Sequence, residues 1–208
     1  MLRDILPLCD KVFYLNPEIG HFVSGAHFLP YSNTNVFATE LSLPTQTGRP
    51  RIVHAPTDSG IKGTALILDA LDQLKGQFDF DLVLIKDKTH AEAMDLYRSA
   101  DLAIDQVLAG WYGGVAVEWM AMGKPVAAYI RDSDLGFIDQ NMRRDIPILQ
   151  LRPSHLVEDL AAILSKRSQW RQIGEQSRQF VEKWHNPDKI ARAMLKCYRD
   201  PRLPFVLE

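Results

Sequence analysis

Residues 102–130 read LAIDQVLAGWYGGVAVEWMAMGKPVAAYI, and the order of patterns inside this stretch decides the fold class. Leu102 to Ile104 is a short apolar run of strand character. A loop follows in which Gly110, Gly113 and Gly114 fall close together. Val115 to Met122 is then apolar nearly all round, broken by Glu118, and Gly123 and Pro125 close it in the order expected at a helix C-terminus. Val126 to Ile130 reads as the next strand. A helix apolar on most sides has to be buried, and strands joined through such a helix lie parallel in a sheet covered on both faces.

Working upstream, the same trade of periods continues. Ile52 to His54 predicts a strand, and Ile67, Ala70, Leu71 and Leu74 follow helical spacing. Phe80 to Ile85 is a further apolar run, and Ala93, Leu96, Tyr97 and Ala100 form another helical stripe. Downstream, an irregular charged stretch runs to Arg144, a weak strand is expected over 146–149, and three helical patterns follow. Asn186-Pro187 opens the last of them as cap and first helical residue. The first fifty residues differ: Val12 to Leu15 is a short strand candidate amid turn chemistry such as Asn16-Pro17 and Pro44-Thr-Gln-Thr-Gly-Arg-Pro50. The expected organisation is thus an incomplete N-terminal segment over 1–50, an α/β domain over 51–200 and an irregular tail over 201–208.

Composition bounds the function classes. The chain has 208 residues, 46% hydrophobic and 24% charged, with 24 basic against 26 acidic side chains and a formal net charge of −2, so it can bury a core and is not disordered. This balance supplies no electrostatic reason to expect nucleic acid or an anionic membrane as partner. Two cysteines, Cys9 and Cys197, without metal-ligand spacing signal neither a disulfide scaffold nor a zinc site, which fits a reducing cytoplasm. No apolar run is long enough to span a membrane, and the N-terminus does not read as a signal peptide.

In open parallel sheets ligands bind beyond the C-terminal ends of the strands, which directs attention to two loops. The first, His54-Ala-Pro-Thr57-Asp-Ser59-Gly60-Ile-Lys62-Gly63-Thr64, passes from a strand directly into a helix. A lysine at a helix start opposes the macrodipole by roughly 0.3–1 kcal/mol, and a bound phosphate reverses the sign of that term. Lys62 is therefore either a solvated lysine beside a turn or the cation of an anion cradle. No G-x-x-x-x-G-K run is present, so the loop is not a Walker P-loop. The second loop is the glycine-rich one at 106–114, and the helix after it carries the lone acid Glu118. That carboxylate either sits on the wet stripe of its helix or, if buried, needs hydrogen-bond donors such as adjacent sugar hydroxyls. His54 and His90 read as an interior histidine and a cap or surface group. Asp101 is expected to tie a helix to the sheet and Asp105 to point toward the ligand edge, while Trp111 and Tyr112 are either core or a stacking surface. No hydrolase triad, G-x-S-x-G elbow or metal-ligand spacing occurs.

The two loops together, the stretch AVEWMAMGKPV over 116–126 and Leu96-Tyr-Arg-Ser-Ala-Asp-Leu-Ala103 resemble the C-terminal domain of retaining group 1 glycosyltransferases of the two-domain GT-B fold, over roughly residues 51–199. The resemblance implies a Rossmann-like domain that binds a nucleotide-sugar as co-substrate and needs no metal or other cofactor. It implies that Lys62 and Gly63 contact the donor diphosphate, with Thr57, Ser59, Gly60 and Thr64 around them, and that Glu118 orients donor hydroxyls. Gly110, Tyr112, Gly113 and Gly114 would hold the sugar and ribose, and the backbone near Lys88 and Thr89 would edge the base. Three departures stand out. The family's paired acids are spaced Glu-x7-Glu, and Gly110 occupies the first position. Thr57, Asp58 and Ser59 stand where a second basic residue is usual. The N-terminal acceptor domain is not within residues 1–50, so acceptor binding is expected from a domain in cis or in trans, and the isolated chain is expected to be inactive. Two other readings remain: a non-catalytic nucleotide-sugar-binding module or scaffold subunit, and an isomerising relative, for which no acid pair is visible.

Overall fold

The computed structural model describes residues 2–207, with side chains from residue 4 onward. In chain order the strands are β1 (Phe13–Tyr14), β2 (His27–Phe28), β3 (Arg51–His54), β4 (Asp81–Leu84), β5 (Leu102–Ile104), β6 (Val126–Ala128) and β7 (Leu149–Gln150). The helices are α1 (Leu2–Ile5), α2 (Ser59–Lys62), α3 (Thr64–Leu74), α4 (His90–Arg98), α5 (Gly114–Ala121), α6 (Gln140–Asp145), α7 (Leu156–Ser165), α8 (Trp170–Trp184) and α9 (Pro187–Arg199). Strands β3 to β7 form one parallel sheet in the order β4-β3-β5-β6-β7, registered through Ile52 against both Leu82 and Leu102, and Ala103 against Val126.

Alternation along the strands divides the interior into two layers. Val53, Ala103, Val126 and Ala128 face one layer with Trp119 and Met120 of α5 and Phe180 and Val181 of α8. Ile52, Leu102, Ile104 and Ala127 face the other with Ile67 and Leu71 of α3, Leu160 of α7 and Trp170. Both faces are therefore apolar, which is why the strands read as continuous hydrophobic runs. The contact of α8 with the end of α5 carries a backbone requirement: a Cβ on Gly174 of α8 would lie 2.1 Å from the carbonyl oxygen of Gly123, just past α5.

Three boundaries differ from expectation. The weak strand expected at 146–149 is displaced to Leu149–Gln150, because Pro147 has no amide to give a ladder. The charged stretch after Arg131 is ordered as a 3-10 turn, Asp132–Phe137, and α6, whose N-terminus Asp139 caps by accepting from the amides of Asn141 and Met142. The 59–64 loop contains α2, broken from α3 by Gly63 in the left-handed region at φ 71°.

Residues 13–28 form a parallel pair, β1 with β2, around a 3-10 turn at Pro17–His21. The C-terminal tail returns to it: Lys11 Nζ donates to the Pro201 carbonyl at 3.1 Å, and the Phe13 and Phe205 rings meet edge-on at 5.4 Å. The segment from 29 to 50 is pinned to the sheet domain. Asp101 accepts from the Thr45 amide and hydroxyl and from the Arg51 amide at 2.7–2.8 Å. Buried Lys124 donates to Ser42 and the Arg98 carbonyl, and burial pulls its ammonium down to about 8. His185, wholly interior, links the Tyr112 hydroxyl to the Tyr31 carbonyl, each at 2.8 Å.

Candidate functional site

The loops that leave β3, β4, β5 and β6 share the C-terminal edge of the sheet. His54 ends β3 and is fully buried, with Nδ1 2.9 Å from the Ile104 carbonyl and Nε2 2.9 Å from the Thr64 hydroxyl. It is an interior histidine whose pKa burial pulls down, and it locks Thr64 at the start of α3. Lys62, at the end of α2, turns inward: its ammonium bonds to Asp105, at the end of β5, and the two side chains are 8% and 0% exposed. The other Asp105 oxygen accepts from the Gly113 amide at 2.6 Å. A Cβ on Gly113 would stand 3.1 Å from the Lys62 nitrogen, so the glycine lets the start of α5 close over the ion pair. Asp105 is the residue that links the two loops.

The amides of residues 60–63 in the first loop are already committed. Asp58 caps α2, and its carboxylate accepts from Gly60 N at 2.8 Å and Ile61 N at 2.9 Å. The amides of Lys62 and Gly63 donate to the carbonyls of Asp58 and Gly60. What the first loop offers outward is Thr57 and Ser59, which line a cavity of about 520 Å³ with Lys86, Lys88 and Tyr97. Thr89 is spent as the cap of α4, in a reciprocal box with Glu92, and does not line that cavity.

Glu118 lies about one turn into α5, its side chain 15% exposed, with Oε1 3.3 Å from the exposed His90 ring. It borders a second cavity of about 370 Å³ with Asn33, Thr34, His90 and Arg98. Tyr97 of α4 lines the first cavity and meets Trp119 of α5 edge-on at 5.3 Å. Burial, and then the carboxylates of Glu118 and Asp105, push its hydroxyl up to about 12. Gly113, at the start of α5, is bonded to Asp105, and Glu118 meets His90 at the start of α4, so the Lys62–Asp105 pair and Glu118 both lie at the ends of helices that face the C-terminal side of the sheet.

The remaining glycine-loop residues divide. The Tyr112 side chain is fully buried, stacked on Trp111 at 4.4 Å and bonded to His185, so it is core and brings only its backbone to the edge. Gly114 offers its carbonyl to Asn33 Nδ2 at 3.3 Å. Gly110 lies beneath Arg131: a Cβ there would sit 2.6 Å from Arg131 Cβ and 3.1 Å from the guanidinium carbon. Nothing in the local pattern marks Asn33 or Arg131, while His90 is the exposed group its sequence context suggests and Tyr97 falls on a helical stripe that reads as core. Among the described residues no group of three or more His, Cys, Asp or Glu is placed to hold a metal ion, and no helix is long and apolar enough to cross a membrane.

The architecture matches solved structures along nearly the whole chain. Sucrose-phosphate synthase from Thermosynechococcus elongatus superposes with a TM-score of 0.68 at 18% identity, covering 93% of this chain and 58% of that one. The fold is that of a GT-B glycosyltransferase domain. S. aureus TarM, in a complex with UDP, matches this GT-B domain with a TM-score of 0.66 at 11% identity, over 94% of this chain and 45% of its own. The pneumococcal O-GlcNAc transferase GtfA, solved with UDP and GlcNAc, gives 0.56 at 12% identity, over 95% and 46%. The chain thus spans about half the length of the structures it matches. No protein-family profile matches the sequence, and no curated protein matches it.

Proposed function

We propose that this chain is the donor-binding half of a glycosyltransferase, carrying a nucleotide-sugar whose hexosyl group passes to an acceptor held by an N-terminal domain in cis or in trans. What supports this reading is that Asp105 holds the Lys62 ammonium and also accepts from Gly113, the residue that opens the helix carrying Glu118. In the reaction the bond from the anomeric carbon to the diphosphate breaks, a bond to the acceptor oxygen forms, and the acceptor proton leaves with the products. Negative charge grows on the departing phosphates. Lys62, held in one orientation by Asp105, meets that charge as a preorganised donor, and the exposed Lys88 adds positive potential at the mouth of the neighbouring cavity. Glu118 accepts hydroxyl groups of the donor and moves no proton. The base lies against the backbone near Lys88 and Thr89. Both cysteines are free thiols, and a reducing cytoplasm suits them.

One observation favours a second reading. Asp58 and Asp105 neutralise the two elements that would draw a diphosphate, the α2 amides and Lys62. A module that holds nucleotide-sugar weakly, or serves as a scaffold subunit, tolerates that neutralisation better than an enzyme does. Calorimetric titration of UDP, GDP and ADP into the wild type and Lys62→Met separates the cases. The donor-binding reading expects heat from one diphosphate in the wild type and at least about tenfold weaker binding in the variant, the loss of one charge-assisted contact. Equal and negligible heats in both overturn it. Turnover with an added N-terminal partner then divides enzyme from module.

A further inference from the structure

The strand order itself lays out a donor. Along the C-terminal edge the sequence of loops runs from β4, with Lys88, through β3 and β5, with Lys62 and Asp105, to β6. A nucleotide-sugar is linear in the same sense: base, diphosphate, sugar. With the base at the β4 loop and the diphosphate at Lys62, the transferred sugar falls at the end of β6, where the chain passes into Arg131.

That end is occupied by a charged group built from two distant segments. The Arg131 amide donates to the Gly110 carbonyl at 3.0 Å, and its side chain folds across Gly110, whose missing Cβ makes the room. Its guanidinium reaches Asp134 at 3.1 Å and Glu18, from the N-terminal segment, at 3.2 Å. Asp134 is 2% exposed and is further held by His21 at 3.0 Å and Ser133 at 3.0 Å. Arg131 and Asp134 offset each other. Glu18 is the surplus charge, 39% exposed, and among the described residues Oε2 accepts from Arg131 while Oε1 has no bond.

We infer that Glu18 accepts hydroxyl hydrogens of the transferred sugar, that Arg131 is the positioning residue that holds it over Gly110, and that the sugar is therefore neutral and not a uronate. The inference rests on the donor-binding reading above. It assigns a specificity role to a residue of the N-terminal segment, and it explains glycine at 110 as the clearance that Arg131 needs.

The test is calorimetry on the full chain with UDP, GDP and ADP, each alone and as its glucose conjugate, and with the glucuronate conjugate of the base that binds. The wild type is expected to bind the glucose conjugate more tightly than the bare diphosphate and about fivefold more tightly than the glucuronate, through like-charge repulsion. Glu18→Gln is expected to weaken the glucose conjugate about tenfold, leave the bare diphosphate unchanged and remove the discrimination against glucuronate. Arg131→Lys, which keeps the charge but not the two-pronged grip on Glu18 and Asp134, is expected to give a partial loss of the same kind. A sugar increment that Glu18→Gln does not change, a glucose group that adds nothing, or a preference for glucuronate overturns the inference while leaving donor binding intact. No binding of any diphosphate or conjugate by the folded wild type removes the donor-binding reading, and this inference with it.

Discussion

Lys62 is the residue on which the proposed donor binding turns, and the same residue closes a buried ion pair, so its removal has a stability cost that follows from the geometry. Lys62→Met keeps the stem and deletes the charge. Asp105, 0% exposed, is then left with the Gly113 amide at 2.6 Å as its recorded partner. Breaking a buried pair by removing one member costs about 3–5 kcal/mol, against a whole-domain stability of roughly 5–15. Asp105→Asn is milder, about 1–2 kcal/mol, because the lysine stem can lift its ammonium to water and the amide oxygen still accepts from Gly113. The double variant, Lys62→Met with Asp105→Asn, is expected to recover most of the single-variant loss, since no unpaired charge remains. Urea unfolding followed by the fluorescence of the four tryptophans reads this directly, with a midpoint about 1–2 M lower for Lys62→Met at unchanged slope. A loss below about 1 kcal/mol, or a double variant less stable than Lys62→Met, refutes the claim that Lys62 and Asp105 compensate each other in the interior. The same curves set the conditions under which Lys62→Met is folded, so that weakened nucleotide binding reports on the site.

Two further outcomes follow from the packing. His185 is held neutral by burial, its pKa pulled from 6.5 to about 4. The unfolded state therefore binds the extra proton first, and stability falls by about 3 kcal/mol as pH drops from 6.5 toward 4; an acid titration of the thermal midpoint in which His185→Gln is as pH-sensitive as the wild type would contradict this. Gly174→Ala forces a Cβ to within 2.1 Å of the Gly123 carbonyl, so α8 must shift off the end of α5. A loss of more than about 2 kcal/mol is expected in the same urea assay, with Gly76→Ala, whose Cβ would meet nothing within 4 Å, as the benign comparison.

The layered sheet was legible in the chain because its signals are local. The apolar runs at 52–54, 102–104 and 126–128 and the helical stripe Ile67, Ala70, Leu71 and Leu74 each carry their period within a few residues, and both sheet faces are buried as those runs require. Lys62 and the lone Glu118 stand out in the sequence for the same reason, as charges out of place in their immediate surroundings, and the structure shows the first to be a buried ion-pair partner. Glycine spacing alone, by contrast, did not separate Tyr112, whose ring is fixed in the core by a histidine 73 positions later, from a residue facing the edge.

What the sequence determined by itself is the alternation of strand and helix, hence a parallel sheet covered on both faces, because short-range periodicity dictates which faces must leave water. What only the tertiary structure decided is which charges meet. Lys62 and Asp105 are 43 positions apart, and Arg131 and Glu18 are 113. An ammonium group at the end of one strand finds its carboxylate, or remains free for a phosphate, according to how the chain brings distant loops to one edge, and no local pattern records that distance.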